Sequence, residues 1–152
     1  MLASSRGWGA RGRNALCALG ALAWCSAATA GLGGNLATLA SAGPASSTAS
    51  SPLAGATLLT QRLADGVTLR HYVNPAGQVF AVGWDGPVLP DFDRLLGDYR
   101  PRYSEARRLQ SRQVHIQSSD LVLEAGGMMR AFSGHAYLPA LLPPTLSGAD
   151  IR

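Results

Sequence analysis

The residues of this chain best suited to chemistry are its three histidines, His71, His115 and His135, together with Ser133 and a group of aspartates, Asp85, Asp91 and Asp93. A metal ion needs several ligands brought to one point, which sequences announce by H-x-H, H-E-x-x-H or paired cysteines. None of these patterns occurs, and the three histidines fall on separate expected elements, so no metal ligand and no cofactor is assigned. Ser133 lies in "AFSGH", two residues before His135. On a strand, residues i and i+2 share a face, so Ser133 and His135 can meet, with His71 or Asp85 joining them as in a nucleophile–base arrangement. The segment lacks the G-x-S-x-G elbow that presents a serine nucleophile. Asp85, Asp91 and Asp93 stand in "DGP" and "PD" contexts, which are turn and helix-cap sequences before they are acid–base pairs. No glycine-rich phosphate loop joins a strand to a helix.

A second chemistry is electrostatic. In "YRPRYSEARRLQSR", Arg100, Arg102, Arg107, Arg108 and Arg112 are opposed inside the run only by Glu105. Arginine clusters of this kind suit an anionic partner such as a lipid headgroup, an acidic polysaccharide or a phosphorylated ligand. The competing reading is a solvated helical face whose charges balance Asp91, Asp93 and Asp98.

These residues must be positioned by a small core. Leu58–Leu63 reads as a first strand, and Asp65-Gly66 as the turn that follows it. Val67–Val73 comes next, its alternation setting Val67, Leu69, His71 and Val73 on one face and Thr68, Arg70 and Tyr72 on the other. Asn74-Pro75-Ala76-Gly77 is a second turn, and Gln78–Trp84 is apolar on both faces, as in a strand inside a sheet. Asp91 is placed to cap a helix over "FDRLLGDY", with Gly97 near its end and Pro101 interrupting any continuation. A short helix is expected at 104–109. Strands return at Asp120–Ala125 and Met128–Leu138, joined by a Gly126-Gly127 turn. The expected fold class is α+β: a small antiparallel sheet, built from a three-strand meander, a helical crossing and a further hairpin, with one helical side.

Ahead of that core, residues 1–30 carry Arg6, Arg11 and Arg13, then an apolar run from Ala15 to Trp24, then Ala28-Thr29-Ala30. Basic, apolar and small-residue segments in that order are the plan of a secretory signal peptide, so a periplasmic or secreted location is expected. The apolar run is about half the roughly 20 residues a spanning helix needs, and no later stretch is long and apolar enough to span. Both cysteines, Cys17 and Cys25, lie within this segment. The bulky Trp24 disfavours lipidation at Cys25, which needs a small residue before it. Without these thirty residues, ten arginines face nine acids, a balance of +1, which gives no general case for nucleic-acid binding. Residues 31–57 are rich in Ala, Ser, Thr and Gly and free of charge, and read as a flexible low-complexity tether before one α+β domain at 58–152.

Three segments carry a resemblance: "LGG" at Leu32–Gly34, "LADGVTLRHYVNPAGQVFAVGWDGPVLPDFDRLLGDY", and "DLVLEAGGMMRAFSGHAYLPALLP". Together they resemble the proteobacterial exported proteins grouped as domain of unknown function family 2844. The resemblance implies export and a small domain. It also implies that members often carry a histidine at the position of Met128 and an arginine at that of His135, which separates both positions from a shared catalytic or metal role. The sequence thus reads as an exported cell-envelope protein with a non-enzymatic binding or accessory role toward an envelope component, anionic if the arginines contact it. The alternative is an exported hydrolase using Ser133 and His135.

Overall fold

A computed structural model describes residues 31–36, 45–110 and 113–152. The segment expected to direct export and residues 37–44 lie outside these residues. The sheet strands are β1 (Ala45–Leu53), β2 (Ala56–Leu63), β3 (Thr68–Val73), β4 (Val79–Gly86), β5 (Val114–Gln117), β6 (Val122–Met128) and β7 (Ala131–Tyr137). All seven form one antiparallel sheet in the order β1-β2-β3-β4-β7-β6-β5. Between β4 and β5 the chain crosses one face as α1 (Phe92–Leu96), a 3₁₀ turn (Gly97–Tyr99) and α2 (Arg100–Leu109).

This corrects the expected α+β arrangement of a small sheet with one helical side. Among the described residues the molecule is mostly a seven-stranded sheet, crossed by a helical passage of 18 residues. Two strands account for the difference. β1 runs through the stretch expected to be a tether and pairs with β2 over nearly its whole length. Its Ala, Ser and Thr residues offer little apolar surface, but pairing satisfies backbone groups that no hydropathy pattern reveals. β5, from the short "VHIQ", pairs at the opposite edge with β6, Val114 against Ala125 and Ile116 against Leu123.

Two local readings are also corrected. The β6–β7 hairpin turns at Met129-Arg130, and Gly126 and Gly127 belong to β6. Arg130 takes the left-handed conformation there, with φ 65°. Gly127 is needed for close approach: a β-carbon on it would collide with the backbone of Ala131 and Phe132. Pro101 does not interrupt a helix; it occupies the first turn of α2, where its missing N–H costs nothing, so α2 begins at Arg100 rather than Ser104.

The expected cap does form. The Asp91 carboxylate accepts from the backbone N–H of Asp93 at 3.0 Å and of Arg94 at 3.4 Å. The helical passage lies on the face carrying Val82, Trp84, Leu123 and Ala136, against which Leu95, Leu96 and Tyr103 are buried. Trp84 meets Phe92 edge-on at 5.3 Å between ring centres, and Phe92 meets Tyr103 at 4.3 Å, so one aromatic chain ties both helices to β4. The tryptophan ring lies across Gly134 of β7, where a β-carbon would collide with it.

Residues 31–36 belong to this core. Leu32 is 4% exposed within it, Gly33 donates to the Val79 carbonyl at 2.8 Å, and Val79 donates back to Gly34 at 2.9 Å. Among the described residues the opposite face is covered only in part. Ile151 packs there with Tyr72, Phe80 and Ala81.

Candidate functional site

The register sets six residues in one row across the open face: Thr60, Arg70, Gly83, His135, Glu124 and His115, each opposite the next. The neighbouring row pairs Thr68 with Asp85 and Asp85 with Ser133. Ser133, His135 and Asp85 therefore share a face, as strand alternation requires. A cleft of about 610 Å³ lies over them, bordered by Arg70, Glu124 and Tyr137.

Their bonding leads away from a relay. Asp85 is ion-paired with Arg70, whose guanidinium also donates to the Arg152 carbonyl at 3.0 Å. Arg152 is held further by Tyr72, whose hydroxyl donates to the same carbonyl at 3.3 Å and accepts from the Arg152 N–H at 3.2 Å. Gly83 admits this crossing, because a β-carbon there would strike the Arg152 carbonyl. His135 stacks on Tyr137 at 6.3 Å with the rings 11° from parallel. Glu124 meets His115 Nδ1 at 3.1 Å. No hydrogen bond joins Ser133 to His135 among the described residues, although both line the same cleft.

The third histidine is elsewhere. His71 points to the helical face, 2% exposed, and neither ring nitrogen has a hydrogen-bond partner among the described residues. Burial lowers its pKa from the usual 6.5 to about 4, so the ring is neutral at pH 7. Across the described residues, no group of three or more His, Cys, Asp or Glu could hold a metal ion.

The arginine cluster divides. Arg100 pairs with Asp93 at 2.9 Å and Arg102 with Asp120 at 2.7 Å, so these two tie α2 to the α1 entry and to the β5–β6 turn. Hydrogen bonding to Arg102, and then to the Ser118 hydroxyl, holds the Asp120 carboxyl below its ordinary range. Arg107 and Arg108 stand exposed on the last turn of α2, the end where cations oppose the helix dipole. The Arg107 guanidinium donates to the Tyr103 hydroxyl at 3.1 Å. Arg112 lies outside the described residues.

The profile of a family described as protein of unknown function (DUF2844) matches residues 28–151, which is most of the chain. The chain belongs to this family. The match runs through β1 and the 31–36 segment as well as the later strands, so the DUF2844 region takes in the whole described sheet. Neither a curated protein nor a solved structure matches this DUF2844 chain. No helix among its described residues is long and apolar enough to cross a membrane.

What the sequence did not single out is the far end of the sheet. Exposed Val88, Leu89, Leu109, Met128 and Met129 come from three segments distant in sequence. Their only sequence signal is the adjacent pair of methionines beside an arginine.

Proposed function

We propose that this DUF2844 protein is an exported, non-enzymatic binding module of the cell envelope that contacts an anionic partner through Arg107 and Arg108. Export is supported by the basic, apolar and small-residue order of residues 1–30. The observation that carries the binding reading is the division of the arginine cluster. Asp93 and Asp120 engage Arg100 and Arg102, while Arg107 and Arg108 are exposed on the last helical turn with no carboxylate partner among the described residues. Guanidinium groups in that position offer planar paired donors to phosphate or carboxylate oxygens.

Soluble polyphosphate tests the reading directly. The parent should bind it with an affinity that falls as salt rises, since screening acts over roughly 8–10 Å near physiological ionic strength. Arg107→Gln with Arg108→Gln should weaken binding about tenfold or more and leave the melting temperature nearly unchanged, because exposed charges contribute little to stability. Ser133→Ala and His135→Ala, on the opposite face, should leave it intact. A double arginine variant that binds as well as the parent overturns the proposal.

A further inference from the structure

Five of the six large hydrophobic side chains that stand exposed among the described residues gather at one end of the sheet. Met129 is 94% exposed, Met128 82% and Leu109 81%, while Val88 and Leu89 are about two-fifths exposed, at 43% and 38%. A single cleft shows that the segments carrying them come together: Leu89 after β4, Arg107 and Gln110 at the end of α2, Gly126 and Gly127 of β6 and Phe132 of β7 all line it. The contributing segments are "PVLP", "RRLQ" and "GMMRAF", which hold three arginines, Arg107, Arg108 and Arg130, and no acid. Arg130 occupies the hairpin turn and, among the described residues, has no ion-pair partner.

We infer that this end is a membrane-interfacial surface: the β6–β7 tip places Met128 and Met129 into the acyl boundary of an anionic bilayer while Arg107, Arg108 and Arg130 engage lipid phosphates. The inference deepens the anionic-partner reading, on which it rests, by naming the partner. Two features select a bilayer. The methionines stand exposed at the end of the β6–β7 hairpin, where a fluid surface takes them without a matching pocket, and methionine is the apolar side chain that best adapts to such surroundings. Three cations on segments that themselves hold no acid suit phosphate headgroups, with Asp91 and Asp93 lining a separate cleft beside Arg107 and Arg108, and apolar burial combined with attraction to anionic lipid is how surface-lying segments hold to a bilayer. Exposed methionines at a turn otherwise lie in water at a cost that burial removes.

The test places a reporter at the tip. Full chain carrying Met129→Trp is mixed with phosphatidylglycerol vesicles and with phosphatidylcholine vesicles, and the emission added by the new tryptophan is read as the difference from the parent. A blue shift and quenching by brominated acyl chains, both confined to the anionic vesicles, are expected. Met128→Ser with Met129→Ser should lower vesicle partitioning about tenfold or more, with an unchanged far-ultraviolet circular dichroism spectrum. If the reporter binds anionic vesicles in a salt-dependent way with no blue shift, the tip does not enter the bilayer; this inference falls and the arginine reading stands. If Arg107→Gln with Arg108→Gln keeps both affinity and shift, the arginine reading falls and the tip alone carries the membrane contact. Binding to an acidic polysaccharide with none to vesicles would make the partner a polysaccharide and overturn the membrane assignment.

Discussion

Leu32→Ala should cost about 2–5 kcal/mol of stability, the range for truncating a buried leucine. The residue lies far ahead of β2, in a stretch with the composition of a tether, yet it is 4% exposed and packs in the core with Val79, Leu95 and Leu96. Its backbone is fixed by the Gly33–Val79 and Val79–Gly34 hydrogen bonds, and Leu36 donates to Gly77 at 2.9 Å, so the side chain cannot swing away without breaking that ladder. A small domain has only about 5–15 kcal/mol in total, so the variant should melt many degrees lower. A chain beginning at Leu58 should fare worse. It loses Leu32 and also β1, leaving the β2 edge unpaired. Thermal unfolding followed by circular dichroism checks both. A Leu32→Ala protein that melts with the parent would remove residues 31–36 from the fold.

The second large effect is acid sensitivity from His71. Its folded-state pKa of about 4 lies below the ordinary 6.5, and burial is the sole cause. The folded ring is therefore neutral over the interval in which the unfolded ring takes up a proton. The unfolded state binds more protons between about pH 6.5 and 4, and stability falls as pH falls through that window. The total is on the order of 3 kcal/mol, reached near pH 4. His71→Leu keeps an apolar group beside Val82 and Leu59, its cross-strand partners, and has no proton to bind. Between pH 7 and pH 5 the parent should lose roughly 2 kcal/mol relative to this variant in urea unfolding. An equal pH dependence in the two proteins would mean that His71 is not a neutral buried group.

How much of this was legible depends on which force shapes each element. The faces of β3 were readable because burial on one side writes an alternation: Leu69, His71 and Val73 do turn to the helical core, and Arg70 and Tyr72 to the other face. Asp91 as a cap was readable because capping is local chemistry. β1 was not, since its stability comes from backbone pairing with β2 and its side chains are mostly small and exposed. The β6–β7 turn was misplaced for a related reason. Glycine pairs announce a turn, but here Gly127 answers a steric demand inside the strand while Arg130 takes the left-handed position. The arginine cluster looked unopposed because Asp120, which engages Arg102, follows α2 on the far side of β5 and meets it only in the fold. Exposure at the methionine tip has no periodicity, and the segments carrying Leu109 and Leu89 come near it only in the fold.

Location of the binding surface is the central claim, and a nuclear magnetic resonance titration with a short-chain, water-soluble phosphatidylglycerol tests it most directly. Backbone amide shifts should change at Arg107 to Gln110 and at Gly127 to Phe132, and the changes should shrink as salt is added. Shifts confined to Arg70, Ser133, His135 and Glu124, on the open face of the sheet, would contradict the account and move the functional site to that cleft.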